Sequence, residues 1–149
     1  MGCIVEFFDK FKKKKETPLD KGEFERRKAL VIKKVKQYIT KANSDPKIKK
    51  AIRKSIDDFI EDDYEYHKKE FEKYANSNSV PKLLTELEDY DDKLMFIISN
   101  DSQYMRECLS AASEIIINQI KSDDEINSFI KEIDFGDGDE GCIYVTLYK

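Results

Sequence analysis

A chain of 149 residues is the length of one domain with a core of its own. Charged residues make up 39% of it, against about 25% in an average globular protein, and five Gly and three Pro are too few for a loop-rich architecture. Three scattered cysteines without a C-x-x-C spacing exclude a disulfide framework, and no stretch approaches the ~20 apolar residues of a transmembrane helix.

The net charge of −4 conceals two opposed halves. Met1 to Ile56 carries eighteen Lys/Arg against seven Asp/Glu, a net +11; Asp57 to Lys149 carries nine against twenty-four, a net −15. Such a split implies that one half faces a charged partner or that the halves face each other.

The chain opens with an amphipathic basic segment, residues 1–16. Ile4, Phe7, Phe8 and Phe11 recur at helical spacing, followed by Lys12, Lys13, Lys14 and Lys15. The apolar run after Met1 is too short for a signal peptide and is broken by Glu6, so the expectation is a reducing, cytoplasmic setting. Gly2 and Cys3 invite acylation, but that pattern needs Ser or Thr where Glu6 stands. The opening resembles that of many small bacterial cytosolic proteins.

A single helical domain is expected over residues 20–149. Its first helix runs from about Phe24 to Ala42, with Val31, Val35, Tyr38 and Ala42 as the stripe, flanked by Ile32 and Ile39. "NSDP" ends it: Ser44 or Asp45 can cap the next helix, and Pro46 sits where a missing N–H costs nothing. Ile48, Ile52, Ile56, Phe59 and Ile60 then mark a helix that continues or kinks through "EDDYEYHKKEFEKY" toward Phe71 and Tyr74.

Ser79 and Pro81 precede what reads as a further helix with Leu83, Leu84, Leu87 and Tyr90. "KLMFIIS", Lys93 to Ser99, is open between helix and buried strand. Met105, Cys108, Leu109, Ala112, Ile116 and Ile120 mark a deeply buried helix. "SDDE" then fits a capping box between Ser122 and Glu125, followed by Ile126, Phe129, Ile130 and Ile133. The tail changes character. "CIYVTLY" alternates, Ile143, Val145 and Leu147 against Tyr144, Thr146 and Tyr148, and needs a partner strand in "KEIDF" or "KLMFIIS". The expected fold is mainly α, five to six helices with a small C-terminal hairpin or strand pair, α+β by strict count.

Chemistry is sparse. The one histidine, His67, has Asp63 and Glu70 one helical turn to either side; a solvated charge pair is the preferred reading over a base or metal site. "DFGDGDEG" lacks both the rest of the kinase signature and the ligand pattern of an EF-hand, and reads as a turn. No G-x-S-x-G or phosphate-binding glycine loop is present. A catalytic role is therefore not expected, nor is a cofactor or metal.

The expected function is non-catalytic binding of another protein, best of all as an inhibitor or immunity-type protein that neutralises a basic toxin or effector. The residues expected to meet the partner are Tyr90, Asp91 and Asp92, with Asp137, Asp139 and Glu140. The alternative is a peripheral membrane or scaffold protein working through the basic half, with Phe7, Phe8, Phe11 and Lys12 to Lys15 on the inner membrane face. A small enzyme around Asp63 and His67 is the third reading. Nucleic acid is disfavoured by the acidic pI of about 5.2.

Overall fold

The computed structural model describes residues 19–63, 80–99, 109–136 and 141–149. The first helix, α1, spans Lys21–Ala42. Phe24, Lys28, Val31, Val35, Ile39 and Ala42 face inward at intervals of three and four, so one stripe of a 3.6-residue helix is buried along its length. Tyr38 and Ile32 flank it, half-buried. The second helix, α2, spans Pro46–Asp63 and buries Ile48, Ile52 and Ile56. Asp45 caps it as expected: Lys47 N donates to Asp45 Oδ1 at 2.9 Å, and Pro46 occupies the first helical position.

The turn between α1 and α2 is fastened to the next segment by one side chain. The Asn43 amide donates to Leu83 O at 3.1 Å and accepts from Leu83 N at 2.7 Å. Leu83 is thereby held in the core, and the chain leaves it as an extended strand.

Here the structure corrects the expectation. Leu84–Tyr90 is not a helix but strand β1, and Lys93–Ser99 is strand β2. Seven residue pairs run from Leu84 opposite Ser99 to Tyr90 opposite Lys93, joined by the two-residue turn Asp91–Asp92. Asp91 sits at φ 67, a left-handed conformation that aspartate tolerates better than most side chains and that tight hairpins require.

A third helix, α3, spans Ser110–Lys121 and buries Ala112, Ser113, Ile116, Ile117 and Ile120. A second correction follows it. Ser122 does not form the capping box; its hydroxyl donates to Asn118 O at 2.9 Å. Only a single 3-10 turn, Asn127–Phe129, precedes strand β3, Ile130–Phe135. Asp123 organises this corner instead. It accepts from the Tyr38 hydroxyl at 2.6 Å, from Lys34 Nζ at 3.2 Å and from the Glu125 amide at 2.9 Å, tying α1 to the connection after α3. Burial alone would raise the Asp123 carboxyl's pKa, but these three donors outweigh it and hold the group below its usual range.

The last strand, β4, is Cys142–Leu147. The sheet order is β1-β2-β4-β3, antiparallel throughout, so β4 pairs with both segments the sequence offered. Among the described residues the fold is three α-helices and a four-stranded antiparallel sheet, not a five-to-six-helix domain. The physical reason is that Leu and Glu favour helices locally, while pairing along whole strands decides the outcome.

The helices lie against one face of the sheet. Leu94, Phe96 and Ile98 of β2 and Ile143, Val145 and Leu147 of β4 point into the core with the stripes of α1, α2 and α3. Lys28 is the charged exception in that layer among the described residues. It is 7% exposed and reaches Asp89 Oδ1 of β1 at 2.6 Å. No helix among the described residues is long and apolar enough to cross a membrane.

Candidate functional site

The other face of the sheet is not covered by α1, α2 or α3, and its make-up follows from strand register. Side chains alternate faces along a strand, so residues paired with one another share a face. One row across the four strands reads Glu88, Met95, Tyr144, Asp134. The next reads Tyr90, Lys93, Thr146, Glu132, and on the other side Glu86, Ile97 and Cys142 line up. Acids occupy the two edge strands, while Met95, Ile97, Tyr144 and Thr146 fill the centre, with Lys93 at one end of it. With strands about 4.8 Å apart, the acidic rims stand roughly 15 Å from one another.

The exposed large side chains gather on this side. Tyr90 is 61% exposed, Leu84 51%, Tyr148 49% and Tyr144 43%. Tyr90 does not swing freely: its hydroxyl donates to Glu88 Oε2 at 2.5 Å. That bond to a carboxylate, with its negative charge, pushes the phenol's pKa up.

Tyr144 is held from below. Gly136 closes the β3–β4 hairpin, its N–H donating to Cys142 O at 2.9 Å. A Cβ at Gly136 would overlap Tyr144 Cε2 outright and lie 3.0 Å from Cδ2, so the ring rests on bare glycine backbone. An aromatic ring seated on a strand-end glycine is fixed in direction. Cys142, on the same side, is a buried thiol.

The sequence-derived candidates fall into two groups. Tyr90 lies on this face. Asp91 and Asp92 form the hairpin turn beside it, where Lys149 pairs with Asp91 and Leu147 N donates to Asp92 O at 2.8 Å. The ammonium of Lys149 draws the Asp91 carboxyl's pKa down, and the carboxylate raises that of Lys149. Asp137, Asp139, Glu140, His67, Glu70, Phe7, Phe8, Phe11 and Lys12 to Lys15 lie outside the described residues. Asp63 ends α2.

Sequence reasoning missed Met95, Tyr144, Glu88 and Asp134 as one set. The alternation that exposes Tyr144 was visible in "CIYVTLY", but Met95 and Glu88 come from segments about fifty residues away and, like Asp134 across the hairpin, are joined to it only by register.

Two open hollows of about 370 and 440 Å³ lie elsewhere. One is bounded by Lys121, Asn127 and Lys131, the other by Tyr38, Asp45 and Gln119. Neither gathers groups suited to acid–base or nucleophilic work. Among the described residues no three His, Cys, Asp or Glu are placed to hold a metal ion. Comparison with protein-family models, curated proteins and solved structures finds no match for the chain.

Proposed function

We propose that the chain is a non-catalytic binding protein that seats a basic protein partner on the face of its sheet turned away from α1, α2 and α3. The observation that supports this reading is the row Glu88, Met95, Tyr144, Asp134: an apolar and aromatic centre between two acidic edges. Protein interfaces have that anatomy, with aromatic residues and Met enriched in the core and polar groups at the rim. The acids would steer a basic surface into place, and Tyr144, already fixed over Gly136, costs little further ordering. An inhibitor or immunity-type role, neutralising a basic toxin or effector by occupying its surface, fits this design best.

The test uses two baits in a pull-down from the native source, the wild-type chain and Glu88→Lys/Asp134→Lys. The wild-type bait should retain a basic protein that the reversed bait loses. Association of that protein should slow as salt rises, because exposed charges are screened beyond about 8 Å at physiological ionic strength. Retention of the same protein by both baits, or capture of an acidic one, would sink the proposal.

A further inference from the structure

The opposite side of the molecule carries the opposite charge, concentrated at one place. Between Leu30 and Ile56 the sequence has nine Lys/Arg and one acid, Asp45. The structure folds this stretch into the corner where α1 turns into α2. Lys33, Lys36 and Lys41 precede the turn, and Lys47, Lys49, Lys50 and Lys54 follow it. All seven are exposed, and none holds an ion pair with another described residue. At 1.5 Å per residue, all of them lie within about 14 Å of the turn along their helix axes. Asp45 is the one counter-charge in this stretch, and its oxygens accept from the Lys47 amide and from Gln119 Nε2 at 3.2 Å and not from a lysine ammonium.

The arginines nearby are treated differently. Arg26 and Arg27 both bond Glu23, drawing that carboxyl's pKa down to about 2, and Arg53 bonds Asp57 at 2.8 Å. Among the described residues of this corner, what is not ion-paired is therefore lysine, a set of mobile point charges without the planar fork that reads phosphate or base edges bidentately. A diffuse, laterally adjustable anion suits such a set.

We propose that this lysine corner adsorbs to an anionic lipid bilayer. A bilayer meets one side of the molecule only, so it can touch the corner while the acidic sheet face stays in water. A long nucleic acid has no such restriction and would meet the chain's overall negative charge. Each lysine that reaches an anionic leaflet strengthens adsorption about fivefold, so a few acting together give a salt-sensitive attachment without insertion. The inference stands apart from the protein-binding face and uses none of its residues.

The experiment is co-sedimentation of the full chain with phosphatidylglycerol/phosphatidylcholine vesicles and with phosphatidylcholine alone, from about 0.05 to about 0.5 M salt. Binding should require the anionic lipid and fade with salt. Lys41→Gln/Lys47→Gln/Lys50→Gln/Lys54→Gln should lower partitioning at least about tenfold with the circular dichroism unchanged. Lys33→Gln/Lys36→Gln, confined to α1, should give a smaller loss and stands in if the fourfold variant fails to fold. Equal binding to neutral vesicles, no binding to anionic ones, or partitioning untouched by the corner substitutions would overturn the proposal. So would tighter, lysine-dependent binding to a DNA duplex at the same salt, which would assign the corner to nucleic acid.

Discussion

Gly136→Ala isolates the support beneath Tyr144. The methyl group would overlap Cε2 and crowd Cδ2 and Cζ, at 3.0 and 3.1 Å, so the ring must lift by more than 1 Å to reach ordinary contact at about 3.5 to 4 Å. Overpacking in a closed core costs about 1 to 3 kcal/mol. This ring is 43% exposed and can tilt outward, so the lower half of that range, about 1 to 1.5 kcal/mol, is expected. The backbone itself does not resist alanine, because Gly136 is not in the left-handed region. In a Tyr144→Ala background the obstacle is gone, and the same Gly136→Ala change should be neutral or stabilising by a few tenths of a kcal/mol, through the lower entropy of the unfolded chain. Urea unfolding of the two single variants and the double variant gives the coupling directly. A penalty of equal size in both backgrounds would show that the ring does not rest on Gly136, and the account of a pre-set Tyr144 would fall with it.

Further predictions concern Asp123 and Thr85. Asp123→Ala removes the acceptor of Tyr38, Lys34 and the Glu125 amide and should cost about 2 to 4 kcal/mol, with Asp123→Asn costing less because it keeps an acceptor for the tyrosine. Since the native carboxyl pKa is lowered, its contribution is complete above the unfolded pKa near 4 and is lost as pH falls through the native value; the gap between wild type and Asp123→Ala in urea midpoints should close over that acidic window. Thr85→Val should stabilise by about 0.5 to 1.5 kcal/mol in thermal unfolding, because Thr85 Oγ1 is buried without a partner among the described residues and Val keeps the shape.

The helices were legible because their signals are local. Val31, Val35 and Ala42 in α1, and Ile48, Ile52 and Ile56 in α2, repeat at three and four residues and are buried as that spacing demands. Asp45 and Pro46 marked their own boundary. The segment Leu83 to Tyr90 misled because Leu83, Leu84, Leu87 and Tyr90 fit a helical stripe, while the same residues also place Leu83, Thr85 and Leu87 on one side of a strand. What separates the two is a partner strand across the Asp91–Asp92 turn, and single-segment periodicity carries no information about partners. The same blindness applied to Ile130 and Ile133. Tyr90 could be singled out from its acidic neighbours, yet the row it adjoins could not, since Met95 and Tyr144 meet only once β2 and β4 are side by side.

The order β1-β2-β4-β3 sets a timetable for assembly. The β1–β2 hairpin can form as soon as Ser99 is synthesised, but the inner edge of β2 has no neighbour until residues 142–147 arrive. In that interval "LMFII" presents an open row of amides and carbonyls on an apolar strand, the composition from which intermolecular stacking starts. Closure across the chain between Ser99 and Cys142 is slow compared with hairpin formation. Asp91, Asp92 and Lys93, directly before that run, act as charged gatekeepers over the waiting strand, and their service to the nascent chain is separate from anything they do in the finished one.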